Sequence, residues 1–329
     1  MTVSRRHATA YERAIAFCRA RRVFVPGERV LVGTGSGAAS LGVLGFLRLA
    51  QHDLEIADVA VGAVDTDTED SADAVADAGR FARLLGSSFY AISSEGRRPL
   101  AALCALAERE GYTRIALGHT HDDAVAHVLA RLVRGVPLHR LRPLVARRRD
   151  GIVRPLLDLR DAEALELART AGIEPPGVPP DPARRLPLEM RLRQTILPRL
   201  RVEVHGSDAA LLRAGRDAAR WARYLEADVD QRMGRTTFLA DRAELRAEAM
   251  PVFVAEAFAD AVLRQLGVQH SVRKTARSPL ARLLRRTHER RNREEVLLGP
   301  GLIATFVPER DVIVLRFPRR DRMAGEGIG

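Results

Sequence analysis

The sequence predicts an α/β fold built on a doubly wound, mainly parallel sheet, followed by a second, smaller, mostly helical α+β domain. Three observations predict it. Short apolar runs alternate with helical periodicity from residue 29 to residue 133. A glycine-rich segment, Gly33-Thr34-Gly35-Ser36-Gly37, separates the first apolar run from the helix after it. Beyond Gly151 the alternation fades, and His205-Gly206-Ser207 interrupts the chain ahead of a long helical stretch. Strands that alternate with helices pair in parallel, because each crossover helix returns the chain to the same end of the sheet.

The elements follow in order. Residues 8–22 place Tyr11, Ile15 and Cys18 at helical spacing, with Ala14 and Phe17 beside them. Pro26-Gly27-Glu28 punctuates the chain, and Arg29-Val30-Leu31-Val32 reads as a buried strand. After the glycine-rich loop a helix resumes over Leu41–Ala50. Ile56–Val64 is the second strand, Asp65–Asp70 an acidic turn, and Ser71 a candidate cap for a helix running to Leu85. Phe89–Ser93 and Thr113–Leu117 are further strands around a helix over Leu100–Glu110, and Asp122–Val133 is the helix after Gly118-His119. Ile152–Leu157 is strand-like, Asp161–Ala171 helical, and Gly172–Pro187 irregular because it is proline-rich. A basic helix covers Leu188–Leu200 and a long helix Asp208–Asp230. Helices are expected near Arg242–Ala247, Val252–Leu266 and Ser278–Arg290, then strands near Glu295–Leu298, Leu302–Phe306 and Val312–Arg316. The domain boundary is placed between residues 205 and 206.

Charge and cysteine usage narrow the function. The 329 residues carry 53 Lys and Arg against 42 Asp and Glu, a net charge of +11 that favours a polyanionic partner, nucleic acid first. The alternative is compositional drift, since Lys274 is the one lysine among those basic residues. Two cysteines, Cys18 and Cys104, form no Cys-x-x-Cys pair, which argues against a disulfide framework or zinc ribbon and for core roles. Residues 1–22 hold no apolar signal core, and no apolar run reaches the roughly 18 residues of a membrane span. A cytoplasmic protein is expected.

The glycine loop admits three readings. A Walker loop needs a lysine before its final Ser or Thr, and none is present. Gly33-x-Gly35-x-x-Ala38 satisfies the dinucleotide fingerprint, with Asp65 as the acid for a ribose, and would make the chain a dinucleotide-binding oxidoreductase. The third reading comes from further along the chain. Gly35-Ser36-Gly37-Ala38-Ala39-Ser40 is similar to the Ser-Gly-Gly-x-Asp-Ser loop of the PP-loop ATP pyrophosphatases, matching at Gly37 and Ser40. Gly118-His119-Thr120-His121-Asp122-Asp123, with Arg131-Leu132-Val133-Arg134-Gly135 after it, resembles the second signature of one PP-loop family, the tRNA(Ile)-lysidine synthetases. Arg154-Pro155-Leu156-Leu157 with Arg160, then Asp181-Pro182, Arg191-Leu192-Arg193 and Ile196–Leu200, follow in that family's order. Residues 206–329 resemble the family loosely.

The resemblance implies a divergent member with a Rossmann-like PP-loop domain over 1–205 and a helical/mixed tRNA-binding domain over 206–329. It implies ATP-dependent adenylation of the wobble cytidine of an isoleucine tRNA, release of pyrophosphate, and displacement of AMP by the amine of free L-lysine. Carried over residue by residue, Gly35, Ser36, Gly37 and Ser40 hold the pyrophosphate, with Asp65 near the nucleotide. His119, Asp122 and Asp123 are catalytic, and Asp123 is a candidate Mg2+ ligand. Arg131, Arg134, Arg154, Arg191 and Arg193 face phosphates or tRNA. The expected partners are tRNA, lysine and a second copy in a homodimer, with no membrane. Plainer roles stand beside these: the two aspartates as first-turn acids of a helix, Arg131 and Arg134 as a solvated face, and His119 as a packed strand-end residue. His119-x-His121-x-Asp123 also matches part of a metal-hydrolase ligand set, whose final histidine would fall on Ala124.

Four departures accompany the resemblance. Ala39 replaces the loop aspartate, Gly35 replaces its first serine, Ala63-Val64-Asp65-Thr66 lacks the family's usual histidines, and Glu189-Met190 stands where Arg-Asn is usual. They open a second hypothesis, a catalytically degenerate homologue that binds tRNA or nucleotide as a module.

Overall fold

The structure, a computed structural model, describes residues 9–34, 37–66, 68–174, 187–248, 250–285 and 293–317. The chain forms two compact units, residues 1–137 with 141–217, and residues 218–329 with 138–140.

In the first unit the order is α1 (Ala10–Ala20), β1 (Arg29–Thr34), α2 (Ala38–Ala50), β2 (Asp58–Asp65), α3 (Glu69–Leu84), β3 (Phe89–Ser93), α4 (Pro99–Glu110), β4 (Arg114–Leu117), α5 (His121–Val133), β5 (Ile152–Val153) and α6 (Asp161–Thr170). Helix α7 (Leu188–Arg191), a π-helical turn (Leu192–Ile196) and α8 (Leu197–Glu203) lead to α9 (Ser207–Met233), whose residues from 218 onward belong to the second unit. Gly206, at φ +79°, sits immediately before α9, in a backbone conformation that glycine adopts without strain.

Among the described residues these strands make a parallel sheet in the order β3-β2-β1-β4-β5. Alternation along β1 sends Val30 and Val32 into a core with Phe46, Leu47 and Leu167, and sends Leu31 to the opposite face against Leu103 and Leu106. Both faces are therefore covered, as a parallel sheet requires. The strand order reverses between β1 and β4, which opens a crevice beyond their C-terminal ends.

Small residues set how closely the helices approach. A Cβ on Gly42 would lie 2.4 Å from the Ala164 carbonyl oxygen, so α2 crosses α6 nearly backbone to backbone. At the end of β4, a Cβ on Gly118 would lie 2.4 Å from the Ser40 N and Cα atoms in the first turn of α2.

The second unit contains β6 (Thr237–Phe238), β7 (Arg242–Arg246), α10 (Val252–Gln265), α11 (His270–Arg285), β8 (Glu294–Gly299), β9 (Leu302–Val307) and β10 (Val312–Arg316). Its sheet is antiparallel, in the order β6-β7-β10-β9-β8, and Leu245, Phe258, Val262, Leu280, Phe306 and Ile313 fill its core.

The sequence reading needs correction in several places. The helix expected at Arg242–Ala247 is strand β7. Its Arg-Ala-Glu-Leu-Arg composition suits a helix, but Ala243 and Leu245 point inward at a two-residue period and the segment pairs with β10. Helix α11 begins eight residues ahead of the expected Ser278, and residues 286–292 lie outside the described residues. The strand expected to Leu157 ends at Val153. The cap of α3 is Thr68, with Ser71 as its reciprocal partner three residues on. Most of the irregular segment, residues 175–186, lies outside the described residues, and with it Asp181-Pro182. Cys18 is buried and Cys104 half-buried, both as free thiols, and burial pushes the Cys18 thiol up to about 12.

Gly42→Ala should cost about 1–3 kcal/mol through overpacking of the α2–α6 crossing. The check is the urea midpoint at unchanged m value. An unshifted midpoint would show that the two helices can part freely.

Candidate active site

Two element ends meet at the crevice. The first is the N-terminus of α2. Its N-cap, Gly37, has extended backbone (φ −77°, ψ 140°), supplies no side-chain cap, and is followed by a first turn with no acid. The leading amides of a helix have no intrahelical acceptor, and together with the helix dipole they favour an anion. Ser40 lies in this turn, half-buried, with its N–H bonded to the Gly37 carbonyl at 2.9 Å. Gly35 and Ser36 lie outside the described residues. Asp65, at the end of β2, accepts a hydrogen bond from the Ser71 hydroxyl at 2.5 Å.

The second is the turn from β4 into α5. Thr120 caps α5 in a reciprocal box with Asp123. Just before it, His119 Nδ1 accepts a hydrogen bond from Arg154 Nε at 3.3 Å. Arg154 is buried, and its Nη1 donates to the Val145 carbonyl at 3.0 Å. Burial, reinforced by the Arg154 charge, pushes the His119 imidazole down to about 4. Because guanidinium stays protonated, Nδ1 is the acceptor, and the neutral ring carries its proton on Nε2 as a donor.

Around this turn four carboxylates face three guanidiniums. Asp122 is buried. Its Oδ1 accepts from Arg160 Nη1 at 2.9 Å and from Arg201 Nη2, and its Oδ2 accepts from the Asp161 N–H at 2.9 Å. Burial opposes ionisation of Asp122, but the Asp161 amide, Arg201 and Arg160 outweigh it and hold the carboxyl below its ordinary range. Asp123 accepts from the Thr120 N–H at 2.9 Å through Oδ2 and pairs with Arg193 Nη1 at 2.6 Å through Oδ1. Asp161 accepts from the Thr120 hydroxyl at 2.6 Å, and burial raises its carboxyl. Asp208, at the start of α9, pairs with Arg160 at 2.7 Å and Arg201 at 3.1 Å, with His121 Nε2 3.5 Å away. Leu197 packs with Val125 and Ala126 and seats α8 on α5, which delivers Arg201 to Asp122.

The structure thus brings His119, Asp122, Asp123, Arg154 and Arg193 to one turn. It sends Arg134 elsewhere: its guanidinium binds Glu189 through both oxygens, at 2.5 and 3.3 Å. Glu189 stands at one of the positions where the sequence departs from its resembled family, so that departure has an ionic partner. Arg131 is half-buried on α5, and Arg191 is exposed on α7. Sequence reasoning passed over Arg201, Asp161 and Asp208 as site residues. Each lies far along the chain from Asp122, and nothing local marks it.

Among the described residues no group of three or more His, Cys, Asp or Glu side chains is placed to hold a metal ion. With Asp123 spent on Thr120 and Arg193, this donor set does not by itself build a cage for magnesium.

His119 generates a pH prediction. Its imidazole titrates near 4 when folded and near 6.5 when unfolded. Between those values the unfolded chain binds more protons, so stability falls as pH drops from about 6.5 to about 4. His119→Gln should flatten that slope in denaturant titrations across the window. An unchanged slope would place the titrating group elsewhere.

No family model matches the chain. Among curated proteins, it is 33% identical to a tRNA(Ile)-lysidine synthase of a Bradyrhizobium species, over 44% of this chain and 43% of the relative. It is also 33% identical to the tRNA(Ile)-lysidine synthase of Solibacter usitatus, over 46% of this chain and 36% of that protein. The matches thus span less than half the length of these relatives. Among solved structures, the U34-tRNA thiolase NcsA from Methanococcus maripaludis, determined with its 4Fe-4S cluster, superposes with a TM-score of 0.51 at 16% identity, covering 65% of this chain and 79% of that one. That likeness is one of fold. The ordered motifs of residues 118–200 and these sequence matches make the chain similar to the tRNA(Ile)-lysidine synthases over less than half of their length, and its parallel sheet shares the fold of the thiolase.

Proposed function

We propose that the chain uses ATP to modify a tRNA. The reaction would be that of its relatives' name: adenylation of a cytidine in an isoleucine tRNA, then replacement of AMP by lysine. The observation that carries this reading is the contact of Gly118 with Ser40, which sets His119 and the Asp122–Asp123 turn beside the uncapped N-terminus of α2.

The chemistry assigns a task to each part. The cytidine carbonyl oxygen attacks the α-phosphorus, and the bond to the departing pyrophosphate breaks. The leading amides of α2 would hold that pyrophosphate as its charge develops. The neutral His119, with Nε2–H free of the Arg154 contact, would donate to a phosphate oxygen. The lysine amine then bonds to the activated ring carbon, and AMP leaves with the electron pair of the broken C–O bond. Asp123, at the mouth of the turn, would attract the ammonium form and take up the proton released. Any magnesium would enter bound to the nucleotide phosphates, since the Asp123 carboxylate is already held by Thr120 and Arg193.

A second reading, a tRNA- or nucleotide-binding module without turnover, is favoured by Ala39 in place of the loop acid and by the arginine partners on Asp122 and Asp123.

Purified protein incubated with ATP, labelled lysine and unmodified isoleucine tRNA separates the two. Lysine incorporation is expected, with Asp123→Ala lowering the rate by about a hundredfold or more. Salt-sensitive tRNA binding without incorporation would overturn the ligase reading in favour of the binding module.

A further inference from the structure

Helix α9 buries Ala218, Ala222, Leu225 and Val229 at three- and four-residue steps, and Leu225 and Val229 belong to the core of the second unit. The remaining faces of such a helix are expected to be polar. Trp221 and Tyr224 break that expectation, at 66% and 71% exposure. Their rings meet edge to face, with centroids 6.3 Å apart and planes at 84°. Trp221 is the sole tryptophan of the chain. Side chains of this size normally contribute their area to a core, and a pair left in water marks a contact surface.

The surrounding charge says what kind of partner it fits. Arg220 and Arg223 adjoin the pair, and from residue 213 to residue 224 the helix carries Arg213, Arg216, Arg220 and Arg223 against one acid, Asp217. These surroundings are basic, which matches a polyanion with planar groups. Unpaired bases stack on exposed indole and phenol rings, while arginines bind the phosphates and stack in turn.

We propose that Trp221 and Tyr224 form a stacking platform for unpaired bases of single-stranded RNA, with Arg220 and Arg223 on the flanking phosphates. The proposal rests on the tRNA-directed function above, and names the segment that takes unpaired nucleotides.

Because the chain holds one tryptophan, its own emission reports on the platform. The full chain is titrated with a single-stranded oligoadenylate of about a dozen nucleotides and with an RNA duplex of equal length, reading tryptophan emission and the anisotropy of end-labelled RNA. The oligoadenylate should quench the emission saturably and the duplex far less. The double variant Trp221→Ala/Tyr224→Ala, with unchanged circular dichroism and melting because both side chains are exposed, should bind the single strand about tenfold or more weakly. Oligoadenylate binding without quenching, or equal binding by the double variant, would overturn the platform and leave the tRNA reading standing. Quenching with intact single-strand affinity, but no lysine incorporation, would support the platform and count against the ligase reading. Emission that shifts with protein concentration alone would give the pair to a second copy of the chain and overturn the proposal. Absence of any RNA binding would overturn both.

Discussion

The first unit depends on a place where no side chain fits. Gly118 ends β4 against the backbone of Ser40, and a single methyl group there would collide with main-chain atoms of α2. The contact fixes the distance between the first turn of α2, which has no side-chain cap, and the turn that bears His119, Asp122 and Asp123. Main chain against main chain is a stiff spacer, since neither side can yield by rotating a side chain. The crossing of α2 on α6 through Gly42 braces the same helix from behind. Strand order supplies the crevice, and the two glycines set its width.

Charge supplies the second level of organisation. The four carboxylates near the β4–α5 turn are each paired with a guanidinium: Asp122 with Arg160 and Arg201, Asp123 and Asp161 with Arg193, Asp208 with Arg160 and Arg201. Buried carboxylates without partners would destabilise the fold, whereas here Arg160, Arg193 and Arg201 pair with them and hold the start of α6, the π-helical turn and α8 at the β4–α5 turn. A substrate that reaches Asp123 must therefore compete with Arg193, so ligand entry and the position of the basic helix are linked. The Arg134–Glu189 pair stands apart from this cluster and occupies a guanidinium that would otherwise face solvent.

Much of the first unit was readable in the sequence because its signals are local. Apolar runs, glycine punctuation and a capping threonine each act within a few residues, and every strand expected between residues 29 and 117 forms within two residues of its expected ends. The 242–246 segment was misread because its composition favours helix, while its pairing partner, β10, lies about seventy residues away. The site was readable in the same uneven way. His119, Asp122 and Asp123 announce themselves as a cluster, whereas Arg201, Asp161 and Asp208 join them only after folding. Chemistry written in one turn of chain can be read directly, but chemistry assembled from distant arginines exists only in the folded chain. The Glu189 position shows the same limit, since a lost positive charge was visible and its ionic bond to Arg134 was not.

The most direct test is calorimetric titration of inorganic pyrophosphate into the wild-type protein and into Gly118→Ala. Saturable binding to the wild type is expected, with at least about a tenfold loss in the variant, because the added methyl must push the first turn of α2 from the end of β4. Equal affinity in both proteins, or no pyrophosphate binding by the wild type, would contradict it.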